Sequence, residues 1–180
     1  IDLIEEKHTG CCHHGSTDHL DRHIWLSPNL AKQQAVLIEK TLSDQFPHFS
    51  ELFKKNLAQL SIELFDLDQE IRDILKTVEK RTLLVSHPAF GYFCKEYHFV
   101  QLSIEYEGKD PRAKHLEEVL KQAISEKAEI ALTLPQYNNK GAQLIAEKLH
   151  MPVRLIDPYA ADYFETMRKL AHLIADAYAN

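Results

Sequence analysis

Residues 48–80 contain neither glycine nor proline, and Phe49, Leu52, Phe53, Leu57, Leu60, Leu64, Leu67, Ile71, Ile74, Leu75 and Val78 recur along them at spacings of three and four. That period places the apolar side chains on one stripe of an α-helix. A helix of up to ~30 residues would be roughly 45 Å long at 1.5 Å per residue. Few compact lobes need one that long, so the segment reads as a connecting rod. Upstream, Ser27-Pro28 has the chemistry of a helix start, with a side-chain acceptor at the cap and a residue at the first helical position that has no N–H to orphan. Leu30, Ala31, Ala35, Leu37, Ile38 and Leu42 continue that helix until Pro47 breaks it.

Beyond residue 80 the texture changes. Short apolar runs at 82–86, 99–104, 130–134 and 153–156 alternate with helical patterns at about 88–97, 111–126, 138–149 and 160–179. Strands alternating with helices predict an α/β lobe with a mainly parallel four-stranded sheet flanked by helices and preceded by the long helix. Ligands of such sheets bind beyond the carboxyl ends of the strands. His87 follows the first of these runs and Asp157 the last. The chain divides accordingly into 1–47, with a polar loop and a helix, 48–80, the rod, and 81–180, the α/β lobe.

The chain has 180 residues, of which 44% are hydrophobic and 27% charged, enough for a sizeable core. A formal net charge of −6 argues against a nucleic-acid partner and gives no basic face for an anionic membrane. No stretch approaches the ~20 apolar residues of a membrane span. No signal peptide is visible, and a start at Ile1 rather than Met leads us to expect a fragment of a longer protein. The three cysteines, with Cys11 and Cys12 adjacent and Cys94 alone, give neither a disulfide framework nor a CxxC zinc-ribbon spacing.

Histidine is the unusual residue. There are 11, and His8, His13, His14, His19 and His23 fall within the first 23 positions. Residues 5–22 otherwise show no hydrophobic period and read as a mobile polar loop. His23, His87 and Asp157 stand at element boundaries, where side chains can converge, and imidazole nitrogen and carboxylate oxygen suit zinc, and also manganese or iron. The structural alternatives are a histidine at the start of the helix that opens at Pro28 and an aspartate capping the last helix. Trp25, Tyr92 and Cys94 read as packing residues. No GxSxG, HExxH or phosphate-binding loop occurs.

Taken together, His23-Ile24-Trp25-Leu26-Ser27-Pro28, the long helix with Asn56, Leu60 and Leu67-Asp68, Ser86-His87-Pro88-Ala89-Phe90-Gly91-Tyr92-Phe93, Glu107-Gly108-Lys109-Asp110-Pro111 and Leu155-Ile156-Asp157-Pro158 run in a recognisable order. Residues 19–180 resemble the metal-binding family of ABC-transporter solute-binding proteins, and its zinc branch best. The resemblance implies that His23, His87 and Asp157 are metal ligands, that the cargo is Zn2+ with Mn2+ as the alternative, and that the rod is an inter-lobe helix. It implies no catalysis, a periplasmic or otherwise extracytoplasmic, membrane-associated location, and an ABC permease with its ATPase as partners. Zinc is favoured because position 87 is His where many manganese-type members carry Glu. Zinc-type members carry a His-rich insertion before the second ligand motif, and Cys11, Cys12, His13, His14, Asp18 and His19 hold that place here, with His13, His14 and His19 as accessory metal donors. No residue matches the family's first histidine ligand, which lies further upstream; a loop histidine such as His19, a water molecule or further chain would complete the site. Two other readings stay open. One is a zinc-dependent metallohydrolase with water in the fourth position. The other is a folded module that assembles as a homodimer through apolar surface left on its first helices.

Overall fold

The computed structural model describes residue 4, residues 20–105 and residues 112–179. The expectations for Cys11, Cys12, His13, His14, Asp18 and His19, and for the turn at 107–111, lie outside the described residues. A 3-10 turn at Ile24–Leu26 leads into helix α1 (Pro28–Gln45), and a second at Pro47–Phe49 into the long helix α2 (Ser50–Leu75). Then come β1 (Thr82–Val85), α3 (Gly91–Tyr97), β2 (Val100–Ser103), α4 (Ala113–Ser125), β3 (Ala131–Thr133), α5 (Lys140–Leu149), β4 (Val153–Leu155) and α6 (Tyr163–Tyr178). Each strand and helix expected from periodicity is present, and the ends differ by a few residues.

The helix boundaries have local causes. The Ser27 hydroxyl accepts from the Leu30 amide at 3.2 Å, and Pro28 fills the first helical position of α1. Helix α2 spans 26 residues, which is about 39 Å at the standard rise. It stops before the expected limit of 80. His98 and His150 close α3 and α5 in the left-handed conformation, with φ of 61° and 54°, a closing geometry in which glycine is usual. Asp162, and not Asp157, caps α6: its Oδ1 accepts from the Glu165 amide at 3.0 Å.

The four strands are all parallel, in the order β2-β1-β3-β4. Successive side chains of a strand point to opposite faces, and the two faces carry separate cores. Leu83 and Val85 join Leu132, Phe90, Phe93 and Ile156 against α2, α3 and α6, including Leu67, Ile71, Met167 and Leu170. On the other face Leu84, Leu102 and Ala131 meet Val119 and Ala123 of α4 and Ala142, Ile145 and Ala146 of α5. Both cores consist of side chains that are almost wholly buried; losing one of the phenylalanines to alanine would cost about 3–5 kcal/mol.

Helix α2 is buried unevenly. Leu64, Leu67, Ile71 and Leu75 in its second half are covered, whereas Leu52, Ile62 and Phe65 are exposed. Among the described residues no helix is long and apolar enough to cross a membrane. Because β1 is flanked by β2 on one side and β3 on the other, the chain reverses direction across the sheet between β1 and β3. The crevice beyond the carboxyl ends of those strands is where such sheets hold ligands.

Candidate metal centre

His87 lies two residues past β1 and is positioned by the register of the sheet. Val85 pairs with Ser103; the ladder then continues as the Ile104 amide donates to the Val85 carbonyl at 2.9 Å and the Glu105 amide to the Ser86 carbonyl at 3.2 Å. This brings Glu105 alongside His87, whose Nδ1 lies 2.9 Å from Glu105 Oε2. His23 enters from the other end of the chain. Its Nδ1 and its backbone N–H both lie 2.8 Å from Asp21 Oδ1. Asp21 is in turn fixed: the Tyr92 hydroxyl donates to its carbonyl at 3.0 Å, and its amide donates to the Ile4 carbonyl at 3.0 Å.

The two imidazoles meet. Their ring centroids are 5.3 Å apart and their planes cross at 80°, and both side chains are nearly buried, at 11% and 12% exposure. A carboxylate can only accept, so each neutral imidazole donates its Nδ1–H to its acid and keeps a lone pair on Nε2. A carboxylate on the back nitrogen of an imidazole is the outer support that metal-bound histidines commonly have; it fixes the tautomer and raises the basicity of the front nitrogen. Two imidazoles on one tetrahedral zinc, with Zn–N near 2.1 Å, would place their centroids roughly 5 Å apart, which matches the spacing seen.

Aromatic rings wall the pair. Tyr137, past the end of β3, stacks on His87 with centroids 3.7 Å apart and planes within 11°. Tyr159, past the end of β4, places its hydroxyl 3.0 Å from His23 Nε2 and 3.2 Å from the Tyr137 hydroxyl. With His23 Nδ1–H committed to Asp21, the Tyr159 O–H donates to Nε2, and the Tyr137 O–H donates to the Tyr159 oxygen. Burial holds the Tyr159 phenol well above its ordinary range, so it keeps the proton it donates. Trp25 packs against the core and lies against both His23 and Tyr159, with centroids 5.4 and 5.7 Å away. Its indole N–H donates to the Pro158 carbonyl at 3.0 Å.

Of the three ligands expected from sequence, the structure brings His23 and His87 together and does not gather Asp157 with them. Asp157 Oδ1 accepts from Gln136 Nε2 at 2.7 Å and from the Tyr159 amide at 3.0 Å. Among the described residues no three His, Cys, Asp or Glu side chains form a metal-sized group. Four participants went unnoticed in the sequence: Asp21, Glu105, Tyr137 and Tyr159. Asp21 stands two positions before His23, and Glu105 is the first polar residue after the 99–104 apolar run. Reading the two parallel strands in register would have set Glu105 beside His87. The tyrosines carried no comparable signal beyond their place after strands.

Comparison with known proteins gives the pair a context. A family model described as ZnuA, zinc-uptake complex component A, periplasmic, matches residues 2–177. A Chlamydia trachomatis protein, named as a metal-binding candidate, is 35% identical over 167 residues, covering 89% of this chain and 57% of its own length. The high-affinity zinc uptake system protein ZnuA of Yersinia pestis is 28% identical over 161 residues, covering 87% of this chain and 49% of its own length. The chain thus spans about half the length of these relatives. Among solved structures, a crystal structure of ZnuA superposes with a TM-score of 0.85 at 36% identity over 89% of this chain and 63% of its own. A zinc-bound ZnuA deletion mutant gives 0.87 at 34% identity over 99% and 66%. With nearly the whole chain inside one family model and the four-stranded parallel fold shared with solved members, the chain belongs to the ZnuA family of zinc-uptake complex components.

Proposed function

We propose that this chain is part of an extracytoplasmic binding protein that captures Zn2+ between His23 and His87 and passes it to an ABC permease driven by its ATPase. The observation that supports this most is the matched pair of supports: Asp21 on the Nδ1 of His23 and Glu105 on the Nδ1 of His87, at 2.8 and 2.9 Å. Both imidazoles are thereby oriented and left with Nε2 as the donor. Imidazole pairs favour zinc over manganese, which prefers carboxylate and water. Capture rather than hydrolysis fits the same arrangement, since both nearby acids are engaged in holding imidazoles and neither is free as a general base.

Asp157 is a third donor in this reading. It follows β4 at the carboxyl end of the sheet, and releasing Oδ1 from Gln136 and from the Tyr159 amide would free its carboxylate. The remaining position would go to a histidine from the 8–19 segment, to water or to further chain. Helix α2 acts as the inter-lobe rod, with 1–47 belonging to a first lobe and 81–180 forming the second. The burial of Leu64, Leu67, Ile71 and Leu75 in its second half and the exposure of Leu52 and Ile62 in its first suit a helix that serves two lobes.

Calorimetric zinc titration of the full chain beside a His23→Ala/His87→Ala variant tests the site. One-to-one binding that the double variant loses supports it. Binding that survives in the double variant assigns the metal to the His-rich segment and overturns the proposal.

A further inference from the structure

The front nitrogen of His23, the one a metal would use, is already engaged. The Tyr159 hydroxyl donates to it at 3.0 Å, and the site has no second lone pair on that ring to offer. The contact is built rather than incidental. Tyr137 donates to the Tyr159 oxygen at 3.2 Å, the Tyr159 amide donates to Asp157 Oδ1, and the Trp25 indole holds the neighbouring Pro158 carbonyl. The Trp25 ring lies against the tyrosine. Yet Tyr159 is 45% exposed, so its ring can turn away into solvent without opening the core.

Resting on the proposed zinc site, we propose that Tyr159 is a latch: its hydroxyl competes with the metal for His23 Nε2, and metal capture requires that this hydrogen bond break. The competition is one of mass action at a single lone pair. An imidazole nitrogen cannot accept from O–H and bind a cation with the same electron pair. The latch therefore lowers affinity by the factor by which it populates the closed arrangement. A neutral hydrogen bond of ordinary strength makes that factor roughly 3–10-fold. It also keeps His23 in its donor orientation while no metal is present, because the Asp21 and Tyr159 contacts together fix the ring from both ends. The loop beyond β4 is thus coupled to occupancy: when the tyrosine turns away, the Trp25 ring loses a packing partner.

The test is zinc binding by Tyr159→Phe and Tyr137→Phe in the full chain, with Trp25 fluorescence followed during titration. Tyr159→Phe keeps the ring against Trp25 and removes only the donor. It is expected to lower the zinc dissociation constant roughly 3–10-fold and to reduce the metal-induced change in Trp25 emission. Tyr137→Phe, which removes the prop and leaves Nε2 untouched, is expected to shift affinity the same way by less. An unchanged or weakened affinity in Tyr159→Phe, while the His23→Ala/His87→Ala variant loses zinc, overturns the latch and leaves the site standing. Zinc binding indifferent to the two histidines overturns both.

Discussion

The carboxylate of Asp21 fills the space that a Cβ at Gly91 would need, and the Ile4 side chain would lie 3.1 Å from that Cβ. Glycine at the start of α3 is therefore required by a residue 70 positions earlier, and the acid that aligns His23 rests on bare backbone. Gly91→Ala forces the Asp21 carboxylate away, and with it the Nδ1 tether of His23. Zinc affinity should fall about 10–100-fold, the usual cost of losing an outer support of a metal-bound histidine. Calorimetry of Gly91→Ala checks this, and an unchanged dissociation constant would mean that Asp21 can shift without moving the imidazole.

Glu105 makes the corresponding prediction for His87. Glu105→Gln keeps an acceptor oxygen for Nδ1–H and removes the charge; Glu105→Ala removes both. Charge-assisted hydrogen bonds are the stronger kind, so zinc affinity should decline in the order wild type, Gln, Ala, with the alanine variant about tenfold or more weaker. Thermal melts in excess chelator read the metal-free stability of each variant and so separate this from folding.

A third prediction concerns stability alone. Asp68 on α2 is 5% exposed and accepts from the Tyr97 hydroxyl and from Arg72 Nε, both at 2.9 Å. Arg72 also reaches Glu96, which in turn accepts from Ser27 and Asn29 at the start of α1. This network joins three helices. Tyr97→Phe removes one donor and should cost about 1–2 kcal/mol, a fall in Tm of roughly 2–8 °C for a chain of this size. Asp68→Ala leaves the buried Tyr97 hydroxyl unsatisfied and should cost more. Neither should change zinc affinity, because neither group touches His23 or His87.

The fold was written plainly in the chain. The strands and helices after residue 80 follow from apolar runs alternating with a 3.6 period, and the parallel sheet follows from that alternation. Helix α2 was legible as a long helix, but its end was not: Lys76 and Thr77 break no rule of propensity, and the stop is set by the tertiary turn into β1. His23 and His87 could be singled out by type and position. Their supports could not, since a carboxylate two residues or eighteen residues away from a histidine is ordinary in sequence. Only the sheet register and the approach of Asp21 to α3 make those acids partners. Asp157 shows the converse: a position after β4 was predictable, and the rotamer that commits it to Gln136 was not.

Cys94 offers an independent gauge of whether metal binding stabilises this lobe. It is a buried residue of α3 packed into the core, and burial first, then the nearby Asp21 charge, pushes its thiol well above the ordinary range. Thiolate is the reactive form, so in the folded chain alkylation at pH 8 should be negligible, and it proceeds through opening of α3 or of the whole lobe. A Cys11→Ser/Cys12→Ser background leaves Cys94 as the single reporter. Zinc bound only to the folded lobe should slow labelling in proportion to 1 + [L]/Kd, about 100-fold at a hundred times the dissociation constant. His23→Ala/His87→Ala should abolish that protection while leaving the metal-free rate within a few-fold. Iodoacetamide labelling followed by mass spectrometry, with and without zinc, measures both rates. Equal rates would mean that α3 opens without disturbing the histidine pair, which the packing of Asp21 on Gly91 argues against.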